Sequence, residues 1–203
     1  MNKLSATNIS MNFSNAQDSL NVLQDISLEL SEGQSIGIIG SSGCGKTTLL
    51  QILAGLETPS SGSVYFNETN LSENKKTKFA QLRPSLFGFV YQFHYLLEDL
   101  TLFENCELSF QILKSKDHSA NHASIMAIFE ELGISHLKES YPFTLSGGER
   151  QRAAIARAVA HKPTFLLMDE PTGNLDNDNA AIIQELTINL SKKLNMGIIV
   201  ATH

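Results

Sequence analysis

Cysteine is scarce in this chain: Cys44 and Cys106 are the only two among 203 residues. Two thiols build neither a disulfide framework nor a zinc site, and they suit a reducing compartment. Basic charge is also short. Fifteen Lys and Arg stand against 21 Asp and Glu, a net charge of -6, whereas a nucleic-acid binder normally carries a basic excess or stripe. The one dense cationic stretch, NKKTK at 74–78, reads as a solvated loop, with contact to anionic lipid as the other reading. Long apolar runs are missing too. None approaches the ~18 residues that cross a bilayer, and the opening MNKLSATNIS lacks the apolar centre of a secretory signal. There is no internal repeat and no low-complexity linker. What remains, 42% hydrophobic and 18% charged, suits one ordinary globular domain with room for an inserted lobe. These absences place the chain in the cytosol and leave any membrane role to a partner.

The pattern of apolar residues predicts an α/β fold. Ile9, Met11 and Phe13 alternate with polar residues, as do Ile26, Leu28 and Leu30, so the chain begins with antiparallel strands. SEGQ at 31–34 turns into SIGII, a short apolar run that fits a buried strand. Leu49, Ile52, Leu53 and Leu56 form one stripe of a helix over 46–56. After the turn PSSG at 59–62 comes the strand SVYF, and FGFVY at 87–91 reads as another buried strand. The next fifty residues turn helical. Thr101 and Glu104 form a capping box, and Ile125, Ile128, Phe129 and Leu132 share a helix face closed by Gly133. KDHSANH, with His118 and His122 at metal-like spacing, reads as an exposed loop. An alanine-rich helix stops before Pro163, TFLLMD is a buried strand, 178–194 an amphipathic helix and GIIVATH a last strand. Strands and helices thus alternate around a mostly parallel sheet, with a helical insertion between about 93 and 145.

Two motifs carry phosphate chemistry. GSSGCGKT, from Gly40 to Thr47, fits G-x-x-x-x-G-K-[ST] between a strand and a helix, where the mechanism needs it. The backbone N–H groups of Gly40, Ser41, Ser42, Gly43, Cys44 and Gly45 can wrap phosphates, with Thr48 following on the helix. The Lys46 ammonium reaches the outer phosphates, and the Thr47 hydroxyl can ligate Mg²⁺. FLLMDEP drives a strand into the core and ends it on two acids, which need something to neutralise them. Strand alternation points Asp169 and Glu170 in different directions, the first to hold Mg²⁺ directly or through water, the second to polarise an attacking water. The other reading has both acids capping nearby loop N–H groups. A further anion site then appears in LSGGERQR at 145–152, where Ser146, Gly147 and Gly148 open a helix. One small chain has two phosphate-binding elements.

GSSGCGKT, LSGGERQR and FLLMDEP, in this order, resemble the nucleotide-binding subunits of ABC transporters, over essentially the whole chain. The resemblance implies an ABC ATPase domain over 1–203, with a helical subdomain inserted at about 93–145. It also implies ATP and Mg²⁺ as ligands and a head-to-tail homodimer in which Ser146 and Gly148 of one copy serve the γ-phosphate held by the other. By the same resemblance Phe13 stacks on adenine, although a strand residue facing the core is the plain alternative. Gln92 senses Mg²⁺ and the water, GNLD at 173–176 crosses the dimer interface with Asp176 as its acid, and His203 contacts the γ-phosphate. YQFHYLLEDLTLFEN at 91–105 and DEPTGNLD at 169–176 resemble the branch of lipoprotein-releasing, macrolide-efflux and cell-division ATPases, most of all the lipoprotein-releasing subunits. ELSFQI at 107–112 departs from it, lacking a proline near Ser109. The implied partners are integral membrane permease subunits, with membrane contact only through them at the cytoplasmic face of the inner membrane, and no nucleic acid. Phe93, Tyr95, Leu96, Leu97, Leu100, Leu102 and Phe103 could form a groove for a permease helix or pack within the lobe. An ABC-type ATPase acting on DNA or ribosomes, or a scaffold that binds ATP with little turnover, are the rival classes. Members of the family continue past the histidine at which this chain stops, so a truncated subunit is expected.

Overall fold

The computed structural model describes residues 1–14, 19–71 and 78–203. Most of NKKTK therefore lies outside the described residues. The strands form two sheets of four strands each. The first is antiparallel, in the order β2-β1-β4-β5, from β1 (Lys3–Ser14), β2 (Ser19–Ser31), β4 (Ser61–Phe66) and β5 (Thr69–Asn70). The second is wholly parallel, in the order β3-β8-β7-β6, from β3 (Ser35–Ile39), β6 (Phe87–Val90), β7 (Phe165–Asp169) and β8 (Gly197–Thr202).

Strand β7 shows why the layers stack as they do. All five of its residues are buried, so both of its faces need an apolar cover. Phe165 and Leu167 point into a core shared with helix α1 (Lys46–Leu53) and the antiparallel sheet, where Leu4, Ile9, Leu30, Leu50 and Ile199 are buried. Leu166 and Met168 face the opposite core, built with helices α3 (Leu102–Ile112), α4 (His118–Glu131), α5 (Gly147–Val159) and α6 (Asn177–Leu194). The alanines of α5 let it approach the sheet closely. At Gly88 of β6 any Cβ would lie 2.2 Å from the carbonyl oxygen of Ala158, so no other residue fits there.

Several details differ from the pattern in the sequence. SIGII is not a buried strand but the edge of the parallel sheet. Ile36 and Ile38 are half-buried, whereas Ile39 is 78% exposed, because β8 pairs with only one side of β3. The helix expected over 46–56 ends at Leu53, where Gly55 turns with φ +63° and leaves Leu56 exposed. KDHSANH is a helix start rather than a loop. Asp117 accepts from the Ala120 N–H at 2.9 Å, and α4 begins at His118. The ring of the exposed His122 lies against Phe103. Helix α2 (Lys78–Leu86) was not legible because Pro84 sits inside it.

The capping box at Thr101 is present in full: its hydroxyl accepts from Glu104 N–H, and the Glu104 carboxylate accepts from Thr101 N–H at 2.8 Å. Replacing Thr101 with Ala is expected to cost about 1 kcal/mol, seen as a fall of roughly 2–4 °C in a thermal melt. An unchanged Tm would show that tertiary contacts alone hold the start of α3.

Candidate active site

All four parallel strands deliver a polar group at their carboxyl ends, which is where open α/β sheets bind ligands. Gly40 follows β3, Gln92 follows β6, Asp169 and Glu170 end β7, and His203 follows β8. The loop from Gly40 to Gly45 returns to α1, and its first N–H is tied to the Thr202 carbonyl at 3.3 Å. Gly45 sits at φ +97° as the residue before the helix, where a side chain would also strike Val22. That geometry throws Lys46 back over the loop.

The Lys46 ammonium is buried. It donates to the carbonyls of Gly40 at 2.7 Å and Ser41 at 3.1 Å, and pairs with Glu170 at 3.3 Å. The Thr47 hydroxyl donates to Asp169 Oδ2 at 2.6 Å, and that carboxylate is also buried. His203 Nε2 stands 3.0 Å from the same Glu170 oxygen that faces Lys46. Alternation alone would separate Asp169 from Glu170. Instead Glu170 leaves the strand with φ +46°, and both acids line one cavity. The cavity measures about 390 Å³ and is lined by Phe13, Leu20, Val22, Ser42, Gly43, Gly45, the first turn of α1 from Lys46 to Thr48, Gln92, Asp169 and Glu170.

Phe13 is 46% exposed and faces this cavity rather than the core, opposite Leu20 on the neighbouring strand. Leu20 and Val22 join the apolar wall although neither carries a motif. Their only signal in the sequence was the alternation of an ordinary strand. Gln92 packs against Gly173, and its backbone carbonyl accepts from Asn174 Nδ2 at 3.1 Å. The GNLD segment thus lies beside Gln92. Asp176 is the N-cap of α6. Its carboxylate accepts from Asn179 N–H at 2.9 Å and from the Asn179 side chain at 2.7 Å, bonds that hold it below the usual carboxylate range.

Ser146, Gly147 and Gly148 stand apart from that cavity. Ser146 is exposed and caps α5, its hydroxyl donating to Glu149 Oε2 at 2.6 Å in a second capping box. Hydrogen bonds from the Ser146 hydroxyl and N–H lower the Glu149 pKa. Gly148 is buried against Asn179, the residue that also holds Asp176.

A phosphate-wrapping loop with its lysine, a hydroxyl–carboxylate pair, and a second acid beside a histidine define a nucleoside-triphosphate-hydrolysing domain. The family model described as ABC transporter matches residues 23–173, and the chain belongs to that family. It is 43% identical to the lipoprotein-releasing system ATP-binding protein LolD of Saccharophagus degradans, over 97% of this chain and 86% of that one. It is 42% identical to the protein of the same name from Pseudomonas fluorescens, over 98% and 88% of the two chains. Among solved structures it resembles the dimeric bacterial ABC transporter cassette MJ0796, with TM-score 0.88 and 28% identity over 98% of this chain and 88% of that one. The same cassette in a post-hydrolysis state bound to ADP and Pi matches equally well. The protein is an ABC ATPase: it binds and hydrolyses ATP. Among the described residues, no helix is long and apolar enough to cross a membrane.

Proposed function

We propose that this chain, acting as one nucleotide-binding domain, powers the release of lipoproteins from the inner membrane as a head-to-tail homodimer on the cytoplasmic face of an integral permease. The observation that carries the reading is the separation of two phosphate-binding elements on one chain. Lys46, Thr47, Asp169 and Glu170 share a cavity from which Ser146, Gly147 and Gly148 are absent, so the α5 end is free to serve a nucleotide held by another copy. The names of the relatives support the lipoprotein cargo, and the dimeric cassette supports the pairing.

Each side chain then has one task. Phe13 stacks on adenine, the N–H groups from Gly40 to Thr48 hold the phosphates, and Lys46 places its charge on the outer ones. Glu170 accepts the proton of the attacking water, while His203, 3.0 Å away, orients that carboxylate and approaches the γ-phosphate. Asp176, bonded to the Asn179 that packs on Gly148, serves the crossing between the two copies.

The Thr47 hydroxyl and Asp169 carboxylate, 2.6 Å apart, fit Mg²⁺, which takes one or two carboxylates and otherwise oxygen from substrate and water. Thr47, Asp169 and Gln92 would hold the ion, which supplies charge neutralisation at the phosphates.

Exposed apolar residues that follow Gln92 support a face for the permease. Leu96 and Leu102 are buried in the lobe, but Phe93, Tyr95 and Leu97 are exposed. Leu97 also lines a groove of about 370 Å³, together with Phe89, Leu108, Ile112 and His161 among others. Such a groove accepts an amphipathic helix.

Mixing two inactive chains tests the dimer. Lys46→Ala and Ser146→Arg copies together are expected to recover activity, because each heterodimer keeps one intact phosphate loop opposite one intact α5 cap. With statistical pairing roughly a quarter of all sites are whole. No recovery despite demonstrated heterodimers would place Ser146 in its own chain's site.

A further inference from the structure

We propose that Arg157 is a positioning residue for ATP hydrolysis: by clamping the carbonyls of His94 and Tyr95, it fixes the Gln92 segment of its own cavity to the helix whose far end serves the other copy's nucleotide. The second half of this statement rests on the head-to-tail reading above.

Arg157 lies on α5 about 16 Å along the axis from Ser146. Its guanidinium donates through Nη2 to His94 O at 2.8 Å and through Nη1 to Tyr95 O. The fork of an arginine matches two successive carbonyls in a way that the single ammonium of a lysine does not. Among the described residues it has no carboxylate partner. Burial lowers its pKa, so the two carbonyls are what offsets the loss of water around this cation. An apolar side chain could fill the same space with less desolvation, which argues for a task beyond packing.

The segment it grips is constrained throughout. Tyr95 adopts φ +48°, a left-handed conformation that a tyrosine keeps only when its surroundings enforce it. Its ring meets Tyr91 edge-on at 5.3 Å, and Tyr91 stacks on Phe89 of β6 at 4.5 Å. Gln92 lies in sequence between Tyr91 of the aromatic ladder and the clamped His94, and Asn174 donates to its carbonyl. The other end of the arrangement is equally fixed. Ser109 of α3 donates to the Arg157 carbonyl at 3.1 Å, and the Ala158 backbone abuts Gly88. A shift of α5 therefore reaches the His94 and Tyr95 backbone, two residues from Gln92, through the two hydrogen bonds of one side chain.

The test uses Arg157→Met, which removes the donors and keeps much of the apolar stem, and Arg157→Lys, which restores one donor. For Arg157→Met, kcat per folded molecule is expected to fall about tenfold, which corresponds to about 1.4 kcal/mol in the barrier. KM for ATP should stay within about twofold, because the phosphate loop is untouched. Amide exchange at residues 92–95 should quicken in the same variant, and Arg157→Lys should recover part of kcat. Unchanged kcat and unchanged exchange in folded Arg157→Met would overturn the proposal, as would a rise in KM that accounts for the whole loss. Should Arg157→Met not fold, unaltered kcat and exchange in Arg157→Lys overturn it equally. The dimer reading is read separately, from ATP-dependent dimerisation of Glu170→Gln. If that dimer is absent while Arg157→Met still loses kcat at steady KM, the link to the other copy's nucleotide falls and the clamp on Gln92 stands.

Discussion

Lys46→Ala is expected to fold normally and to bind ATP roughly 100-fold more weakly, a loss near the upper end of what a charged hydrogen-bond donor contributes. The ammonium is buried, so little water screens its charge from an incoming phosphate. Without it, several negative charges face only N–H dipoles, and turnover should drop below detection at ordinary ATP concentrations. The fold should survive because Lys46 opens α1, and alanine is the better helix former there. The carbonyls of Gly40 and Ser41 lose a donor, but Ser41 is exposed and Gly40 only half-buried, so water can replace it. Glu170 keeps His203 as its neighbour. Titration calorimetry on a variant shown to be folded by circular dichroism makes the comparison. Native affinity in that variant would remove Lys46 from the phosphate site.

How much of this was legible beforehand depends on where the physical constraint lies. The loop from Gly40 to Gly45 could be read because the constraint is local: the turn needs left-handed backbone at Gly43 and Gly45, and only glycine adopts it cheaply. The capping box at Thr101 is equally local, since both partners lie within four residues. The burial of FLLMD followed from four consecutive apolar residues, Phe165 to Met168, with no polar face among them. Long-range facts were not available in this way. That SIGII would be an edge depends on which strands pair with it, and composition says nothing about that. Gln92 and His203 were placed only by resemblance to a family, because a single glutamine or histidine has no pattern of its own. Arg157 left no signal at all: an arginine on an alanine-rich helix reads as a solvated residue, and only the fold brings the His94 and Tyr95 carbonyls to it. The joint placement of Asp169 and Glu170 also escaped strand alternation, because it depends on the left-handed turn at Glu170.

Glu170→Gln separates binding from chemistry and carries the other large effect. The amide keeps the size of the carboxylate and still offers an oxygen to Lys46 and His203, which now stand 3.3 Å and 3.0 Å from Oε1. What it loses is the ability to take a proton from water, and general-base catalysis is typically responsible for about 10²- to 10⁴-fold in rate. The expected result is a fall in kcat within that range. ATP affinity should be equal or tighter, because one negative charge beside the phosphates is gone. If one copy's α5 end meets the other's ATP, a chain that binds ATP without consuming it should accumulate as a nucleotide-bridged dimer. Sedimentation with ATP and Mg²⁺ should then show a species of twice the mass that ADP does not support. Lost turnover with a strictly monomeric protein would leave Glu170 as the base and sink the composite site. Normal turnover would overturn the assignment of Glu170 itself, since no other carboxylate lies beside both Lys46 and His203 among the described residues.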